Sequence, residues 1–213
     1  MNSTKNRKYV SPGREQQALA TKNRMLDAAE TLLLEKGFAG MTIADVARKA
    51  NVSPQTVYAV FNSKAGIIMA AIEDRVMRDD KNVDTIKQIY ATDDPLLILK
   101  NVAKLIRNIY EGNAPTFTAV YGARFVSPQL ADLERELGEL RFTKQKPVLD
   151  CLMAKRCLRS SLSEKEARDI LWTYTSREVY HLLVIRRGWS PERYEQHLAD
   201  MLITGLLDPA AGA

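Results

Sequence analysis

The stretch of sequence that decides the fold is Thr42-Ile-Ala-Asp-Val-Ala-Arg-Lys-Ala-Asn-Val-Ser-Pro-Gln-Thr-Val-Tyr-Ala-Val-Phe-Asn-Ser-Lys64. It predicts two short helices joined by a tight turn. Thr42 is a suitable N-cap for the first helix. Asn51 stands where the chain must turn, because Asn tolerates the left-handed backbone conformation better than most residues do. Apolar residues at helical spacing give the first helix one inward face: Ile43, Val46 and Ala47.

The second helix of this stretch begins at a cap followed by proline. Ser53 is the predicted N-cap, and Pro54 takes the first helical position, where a missing N–H costs nothing. Val57 and Phe61 are four residues apart and face inward. The outer face is small and mostly polar: Gln55, Thr56, Tyr58 and Ala59. A short helix with such a face, held by a second helix, is the geometry that enters a DNA major groove.

This stretch and the residues before it resemble the TetR family of bacterial transcriptional regulators. The matching positions, in chain order, are Met25-Leu26-Asp27-Ala28-Ala29-Glu30, Leu32-Leu33, Gly37-Phe38, Thr42-Ile43-Ala44-Asp45-Val46-Ala47, Val52-Ser53, Thr56-Val57-Tyr58, Phe61 and Ser63-Lys64. The resemblance is specific because many positions agree in order and spacing. It covers about the first third of the chain, and the remainder agrees with the family in length, helical character and layout.

The charge is concentrated beside this motif. Residues 1–66 contain 10 Lys and Arg against 5 Asp and Glu, a net charge of +5. The other 147 residues contain 21 of each sign. All of the excess positive charge therefore lies with the candidate DNA-binding region, where it would meet phosphates. The alternative is an ordinary solvated basic surface.

Several other classes of protein are disfavoured. No apolar run is long enough to span a bilayer, and no signal-peptide segment begins the chain, so we expect a cytoplasmic protein. The resemblance to bacterial regulators implies that it joins the nucleoid through DNA. Cys151 and Cys157 are predicted to be reduced thiols. His181 and His197 lack neighbours at metal-ligand spacing, so neither a metal nor a cofactor is expected. An enzyme is disfavoured because the sequence shows no catalytic triad, phosphate loop or paired carboxylates.

The chain divides into three predicted regions. Residues 1–13 form a disordered basic arm, residues 14–66 a helix-turn-helix DNA-binding domain, and residues 67–213 a domain for ligand binding and dimerisation. A helix over 14–36 stops at Gly37. A fourth helix starts at Ser63 and extends to about Asp80.

Capped prolines and a capping box mark the helices of the third region. The prolines are Pro95, Pro128 and Pro191, each after Asp or Ser, and Ser163 with Glu166 forms the capping box. The predicted helices are 95–111, 115–126, 128–157, 163–187 and 191–207, with Gly138 and Pro147 bending or splitting the third. We therefore predict an all-α protein, with an N-terminal three-helix helix-turn-helix head and a larger C-terminal helical bundle.

The resemblance assigns roles to residues in the head. Gln55 and Thr56 would meet base edges, and Tyr58 would contact a phosphate through its hydroxyl. Thr42 and Lys64 stand at helix N-termini, which favour phosphate, although capping alone would also explain Thr42. The predicted DNA-binding set is completed by residues at the start of the second helix and in the arm: Ser53, Pro54, Lys5, Arg7 and Lys8. The arm would enter the minor groove. Val60 and Ala59 depart from the family, in which His or Tyr is common at these positions.

The resemblance also implies an apolar effector pocket in the third region. Its candidates are Phe117, Tyr121, Phe125, Trp172 and Arg177, and the alternative is that these aromatics are ordinary core. The dimer interface is predicted on helices 163–187 and 191–207, which are apolar on more than one face, with Val179, Leu183, Leu198 and Leu202 as candidates. Two helices from each chain would form a four-helix bundle across a twofold axis. Completion of the monomer core is the alternative.

The predicted function is a sequence-specific regulator of transcription that binds a pseudo-palindromic duplex operator as a homodimer. We expect a repressor controlled by a small apolar effector. The alternative is a DNA-binding regulator that senses a protein partner and has no small-molecule ligand.

Overall fold

The computed structural model describes residues 12–114 and 128–209, and these form helices. In chain order the helices are α1 (Pro12–Gly40), α2 (Ile43–Ala50), α3 (Pro54–Phe61), α4 (Lys64–Arg78), α5 (Asp80–Ala91), α6 (Pro95–Gly112), α7 (Pro128–Lys144), α8 (Lys146–Ala154), α9 (Glu164–Tyr174), α10 (Arg177–Tyr180), a π-helical segment (His181–Arg186) and α11 (Pro191–Leu206). Across these ranges β-structure is limited to an isolated bridge between Leu158 and Leu207. The predicted all-α fold is confirmed.

The chain divides into two compact units, with the boundary between Ala71 and Ile72. In the first unit, α1 packs on α2, and α2 packs on α3. The core that joins them is apolar and includes Met25, Leu26, Leu33, Val46, Val57, Phe61 and Ile67. Gly37 has φ 68° and ψ 176°, a non-helical conformation that kinks α1 where the sequence placed its end. The predicted domain boundary at residue 66 stays a prediction.

The second unit is built around α6. This helix packs against both α5 and α11, and α9 packs against α11. The buried apolar core of this unit includes Ile98, Leu99, Leu149, Leu171, Tyr194, Leu198 and Leu202. Asp94, Ser163 and Ser190 cap α6, α9 and α11 through their side chains, and Ser163 with Glu166 forms the predicted capping box. These local signals therefore placed the helix starts correctly.

Helix α5 was not predicted from the sequence. Asp79 caps it, but its buried face contains Asn82 and Thr85 beside Ile89. Asn82 accepts a hydrogen bond from Asn108 at 2.8 Å, so polar groups satisfy one another inside this face. A helix buried partly through polar residues gives no clear apolar periodicity, and the pattern therefore missed it.

Two long predicted helices are broken in the structure. The helix expected over 128–157 is interrupted at Gln145, just before Pro147, while Gly138 lies inside α7. The helix expected over 163–187 ends at Tyr174, where Thr175 is the C-cap and Ser176, with an extended backbone, caps α10. The helix predicted over 115–126 lies outside the described residues. No helix in the described ranges is long and apolar enough to cross a membrane.

Candidate DNA-binding site

Helix α2 is fixed to α1 at both ends. Thr42 has an extended backbone, and its Oγ1 accepts a hydrogen bond from the Asp45 N–H at 3.0 Å. The Asp45 carboxylate pairs with Lys36 of α1 at 3.4 Å and with Arg48. At the other end, Arg24 Nε donates to the Ala50 carbonyl at 3.3 Å. These contacts set the position from which α2 holds the next helix.

The turn between α2 and α3 has the left-handed residue that the sequence predicted. Asn51 has φ 55° and ψ 53°, and its N–H donates to the carbonyls of Ala47 and Arg48. The Val52 N–H also donates to the Ala47 carbonyl, at 2.9 Å. The last carbonyls of α2 are thus satisfied in the manner of a left-handed C-cap.

Helix α3 buries only one narrow stripe. Ser53 Oγ accepts a hydrogen bond from the Thr56 N–H at 3.1 Å and lies 2.9 Å from Thr56 Oγ1. Val57 and Phe61 are the buried residues of the helix. The exposed residues are Pro54, Gln55, Tyr58, Ala59 and Val60. Tyr58 is 53% exposed, so a large aromatic side chain stands free on the outer face.

The junction between α3 and α4 depends on a glycine that sequence reasoning missed. A Cβ on Gly66 would lie 2.0 Å from the Phe61 carbonyl oxygen, which is closer than any real contact. The Ser63 Oγ accepts from the Gly66 N–H at 2.9 Å, and Asn62 has φ 62°. The end of α3 and the start of α4 therefore approach each other as only glycine permits. The S-K-A-G run could have suggested a close backbone contact.

Lys64, the first residue of α4, has a partner within the first unit. Its ammonium donates to the Phe38 carbonyl and lies 3.8 Å from the centroid of the Phe38 ring. Burial lowers the pKa of Lys64 from its ordinary value. The sequence assigned Lys64 to phosphate alone; the structure gives it a second role in fixing α4 to the end of α1, and the phosphate contact stays a prediction.

The outer face of α1 has a different electrostatic character. An open groove there is lined by Asp27, Glu30, Thr31, Leu34 and Glu35. Glu35 also lies 3.7 Å from Lys49 of α2. This lining contains three carboxylates and neither Lys nor Arg, so this face of α1 is less suited than α3 to contact a DNA backbone. The uncharged face of α3 is the better candidate.

The pocket candidates are only partly described. Phe117, Tyr121 and Phe125 lie outside the described residues, as do Lys5, Arg7 and Lys8 of the predicted arm. Trp172 donates from Nε1 to the Gly138 carbonyl at 3.1 Å and meets Phe142 edge-on at a 6.3 Å centroid distance. It therefore packs between α7 and α9. Arg177 is half-buried at the start of α10.

The structure corrects two of the predicted interface residues. Leu198 and Leu202 are 2% and 0% exposed within a single chain, where they belong to the core of the second unit. Side chains already buried by their own chain cannot meet a partner, so their assignment to a dimer interface is wrong. Val179 and Leu183 are half-buried against the same core. Leu182 and Ile185, in the π-helical segment, are 51% and 62% exposed.

Within the described ranges, no group of three His, Cys, Asp or Glu side chains is placed to hold a metal ion. Cys151 is half-buried and Cys157 is buried, and both are free thiols. The Cys157 thiol donates to the Leu152 carbonyl at 3.3 Å.

Comparison with known proteins locates the similarity. Residues 25–71 match the family model of the bacterial regulatory proteins of the tetR family. The chain is 42% identical over 52 residues to the HTH-type transcriptional regulator YvkB of Bacillus subtilis, a match covering 24% of this chain and 28% of that protein. It is 25% identical over 146 residues to the HTH-type transcriptional regulator TtgR of Pseudomonas putida, covering 64% of this chain and 63% of that protein. The chain thus spans less than two thirds of either relative.

Solved structures share the fold over most of the chain. A SmeT–triclosan complex superposes with a TM-score of 0.57 at 17% identity, covering 90% of this chain and 94% of that one. The regulator FadR from Bacillus subtilis, bound to stearoyl-CoA, gives 0.57 at 15% identity over 86% and 98%. A transcriptional regulator from Saccharomonospora viridis, bound to choline, gives 0.52 at 18% identity over 88% and 97%. YvkB, TtgR, FadR and the Saccharomonospora viridis protein are all described as transcriptional regulators.

Proposed function

The chain belongs to the TetR family of transcriptional regulators, and we propose that it is a repressor that binds a pseudo-palindromic operator as a homodimer and responds to a small apolar effector. The single observation that carries this proposal is the construction of α3. Only Val57 and Phe61 of its eight residues are buried. A helix that is anchored so narrowly presents its remaining surface to a partner, and its width suits a major groove.

The exposed residues of α3 supply the proposed contacts. Gln55 would pair with adenine through its amide. Thr56 has its hydroxyl beside Ser53 Oγ, which favours a contact of its methyl group with thymine. Tyr58 would donate to a phosphate. Ser53 and Pro54 stand at the helix N-terminus, where N–H groups favour an anion.

Other residues would contact the DNA backbone around this helix. Thr42 caps α2, and Lys64 begins α4, so each lies at a helix N-terminus within the first unit. The basic residues Lys5, Arg7 and Lys8 would add contacts of the arm in the minor groove.

A homodimer is proposed because one α3 reads too few bases to define a site alone. Two copies on half-sites about one helical turn apart would double the contact. The proposed interface includes Val179 and Leu183, and it is extended by Leu182 and Ile185, whose exposed apolar side chains would be covered by a second chain.

Effector control is proposed from the structural neighbours. These neighbours were solved in complex with triclosan, stearoyl-CoA and choline. Small molecules bound to this fold favour a ligand-responsive repressor over a regulator that senses only a protein partner.

The test is selection of binding sites from a random duplex library, followed by footprinting and measurement of stoichiometry. The expected result is one enriched sequence with inverted half-sites, bound by two chains. Enrichment of no sequence, or binding of a single chain to an asymmetric site, would contradict the proposal.

A further inference from the structure

A group of polar side chains is buried in the second unit around Thr175, which is 0% exposed. Its Oγ1 accepts hydrogen bonds from Arg141 Nη1 at 3.1 Å and from Gln145 Nε2 at 2.6 Å. Its carbonyl accepts from the Tyr110 hydroxyl at 2.7 Å. We refer to these four residues as the Thr175 cluster. It joins α6, α7 and the end of α9.

Two further tyrosines extend the cluster into the core. The ring centroids of Tyr110 and Tyr180 are 5.1 Å apart, and those of Tyr180 and Tyr194 are 5.0 Å apart. Tyr194 is 0% exposed, yet within residues 12–114 and 128–209 its hydroxyl has no hydrogen-bond partner. A buried hydroxyl without a partner destabilises a fold, so one that is present calls for an explanation.

The guanidinium of Arg141 has spare hydrogen-bonding capacity. Nη1 donates to two uncharged oxygens, the Trp172 carbonyl at 2.6 Å and Thr175 Oγ1. Over the part of the chain that the structure describes, no carboxylate forms an ion pair with it. An arginine carries five N–H donors in a fixed fork, so the Nε and Nη2 protons are left for a further acceptor.

The buried positive charge of Arg141 favours a negatively charged ligand group beside the Thr175 cluster. Burial lowers the pKa of Arg141, and the negative charge of Glu178 opposes that shift. Burial raises the pKa of Tyr194, and Arg141 opposes that rise. Contacts also link the two residues: Arg141 and Tyr110 both donate to Thr175, and the Tyr110 ring contacts Tyr180, which contacts Tyr194. The Arg141 cation and the Tyr194 hydroxyl donor together favour an anionic hydrogen-bond acceptor, and the cation repels an ammonium group.

We propose that the effector of this regulator is apolar over most of its body but carries a carboxylate, which accepts hydrogen bonds from the remaining N–H groups of Arg141 and from the hydroxyl of Tyr194. The carboxylate fits because it is planar, accepts two hydrogen bonds from a guanidinium and donates none. The rings of Tyr180 and Tyr194 would contact an apolar body. This inference rests on the proposed function and specifies the ligand class of its effector site.

The competing explanation is that the cluster only cross-links helices. The variant Tyr194→Phe separates the two explanations because it removes a single oxygen from a packed ring. In either case it removes an unsatisfied group and should raise the melting temperature. Only if the hydroxyl binds the ligand should the same variant also weaken the binding of a carboxylate.

The experiment measures ligand binding to the full chain by calorimetry without DNA. The long probes are dodecanoate, dodecanamide and dodecyltrimethylammonium, and the shorter pair is 2-naphthoate and 2-naphthamide. We expect at least one carboxylate to bind about tenfold more tightly than its amide, since hydrogen bonds to a charged group are the stronger ones. Tyr194→Phe should lose about tenfold of that affinity, and Arg141→Met should abolish the preference for the carboxylate. Tyr90→Phe, on an exposed residue of α5, is the matched control.

Equal affinity for carboxylate and amide, tighter binding of the ammonium, or no binding of either carboxylate would overturn the inference. A Tyr194→Phe variant that is stabilised but binds dodecanoate and 2-naphthoate as tightly as the wild type would also overturn the inference. This variant keeps the test valid even if Arg141→Met fails to fold. Operator affinity is then measured separately with the bound carboxylate. If that affinity does not change, the anion site stands and the proposed control by an effector falls.

Discussion

The ammonium of Lys64 donates to the backbone carbonyl of Phe38 and lies 3.8 Å from the centroid of the same residue's ring. One side chain thus ties the first residue of α4 to the end of α1. Because the residues are 26 positions apart, the contact fixes one end of the three-helix core. A lysine that resembles a simple phosphate ligand in the sequence therefore has a structural task as well.

Replacing Lys64 with Met should lower the melting temperature of the free protein. The hydrogen bond is worth about 1 kcal/mol, and the cation–π contact adds about 0.5–1 kcal/mol. Thermal unfolding followed without DNA measures this loss, with Lys87→Met on the exposed face of α5 as the control. An unchanged melting temperature with weaker operator binding would restrict Lys64 to the phosphate role.

Replacing Gly66 with Ala should disrupt the DNA-binding unit. The new Cβ would lie 2.0 Å from the Phe61 carbonyl oxygen, so α3 or α4 must move. Overpacking of this kind costs about 1–3 kcal/mol, and operator affinity should fall with it. Gly112→Ala is the matched control, since a Cβ there meets nothing within 4 Å. Equal effects of the two variants in denaturation and gel-shift assays would refute the steric argument.

Replacing Gln55 with Ala should relax discrimination at one base pair in each half-site by about 1–3 kcal/mol. Gln55 is exposed on α3, where Ser53 and Pro54 fix the helix start. Gel shifts on operators altered at single positions measure the effect. Gln88→Ala, an exposed glutamine of α5, should leave discrimination unchanged. If Gln55→Ala keeps the wild-type preference at every position, Gln55 does not contact a base.

Replacing Lys5, Arg7 and Lys8 together with Gln should weaken operator binding about evenly across sequences. Each lost phosphate contact should reduce the slope of log affinity against log salt by about 0.9. Titrations at several salt concentrations on specific and random DNA measure the slope. A slope that stays at its wild-type value would show that the arm makes no phosphate contact.

Leu202→Ala should lower folding stability, whereas Ile185→Glu should weaken the dimer and leave the fold intact. Leu202 is 0% exposed in one chain, so the cavity should cost about 2–5 kcal/mol of folding stability. Ile185 is 62% exposed, so Glu there should leave the fold intact and weaken the dimer by placing a charge in an apolar contact. Denaturation and sedimentation together measure both. A stable dimer of Ile185→Glu would move the interface away from the π-helical segment.

The sequence by itself determined the helix-turn-helix and most helix boundaries. Thr42, Asn51 and Ser53 act through hydrogen bonds to residues three or four positions away. Capping and turn chemistry of this range is encoded locally, so a single stretch of sequence predicts it. Pro54, Pro95 and Pro191 fall at helix starts for the same reason.

The tertiary structure alone decided which apolar and polar faces meet. Leu202 is as apolar in the sequence as Ile185, but packing buries the first and exposes the second. The hydrogen bond from Tyr110 to Thr175 spans 65 positions, and that from Arg141 to Thr175 spans 34. Such contacts follow from how helices pack in three dimensions, and periodicity along one helix carries no information about the partner that covers it.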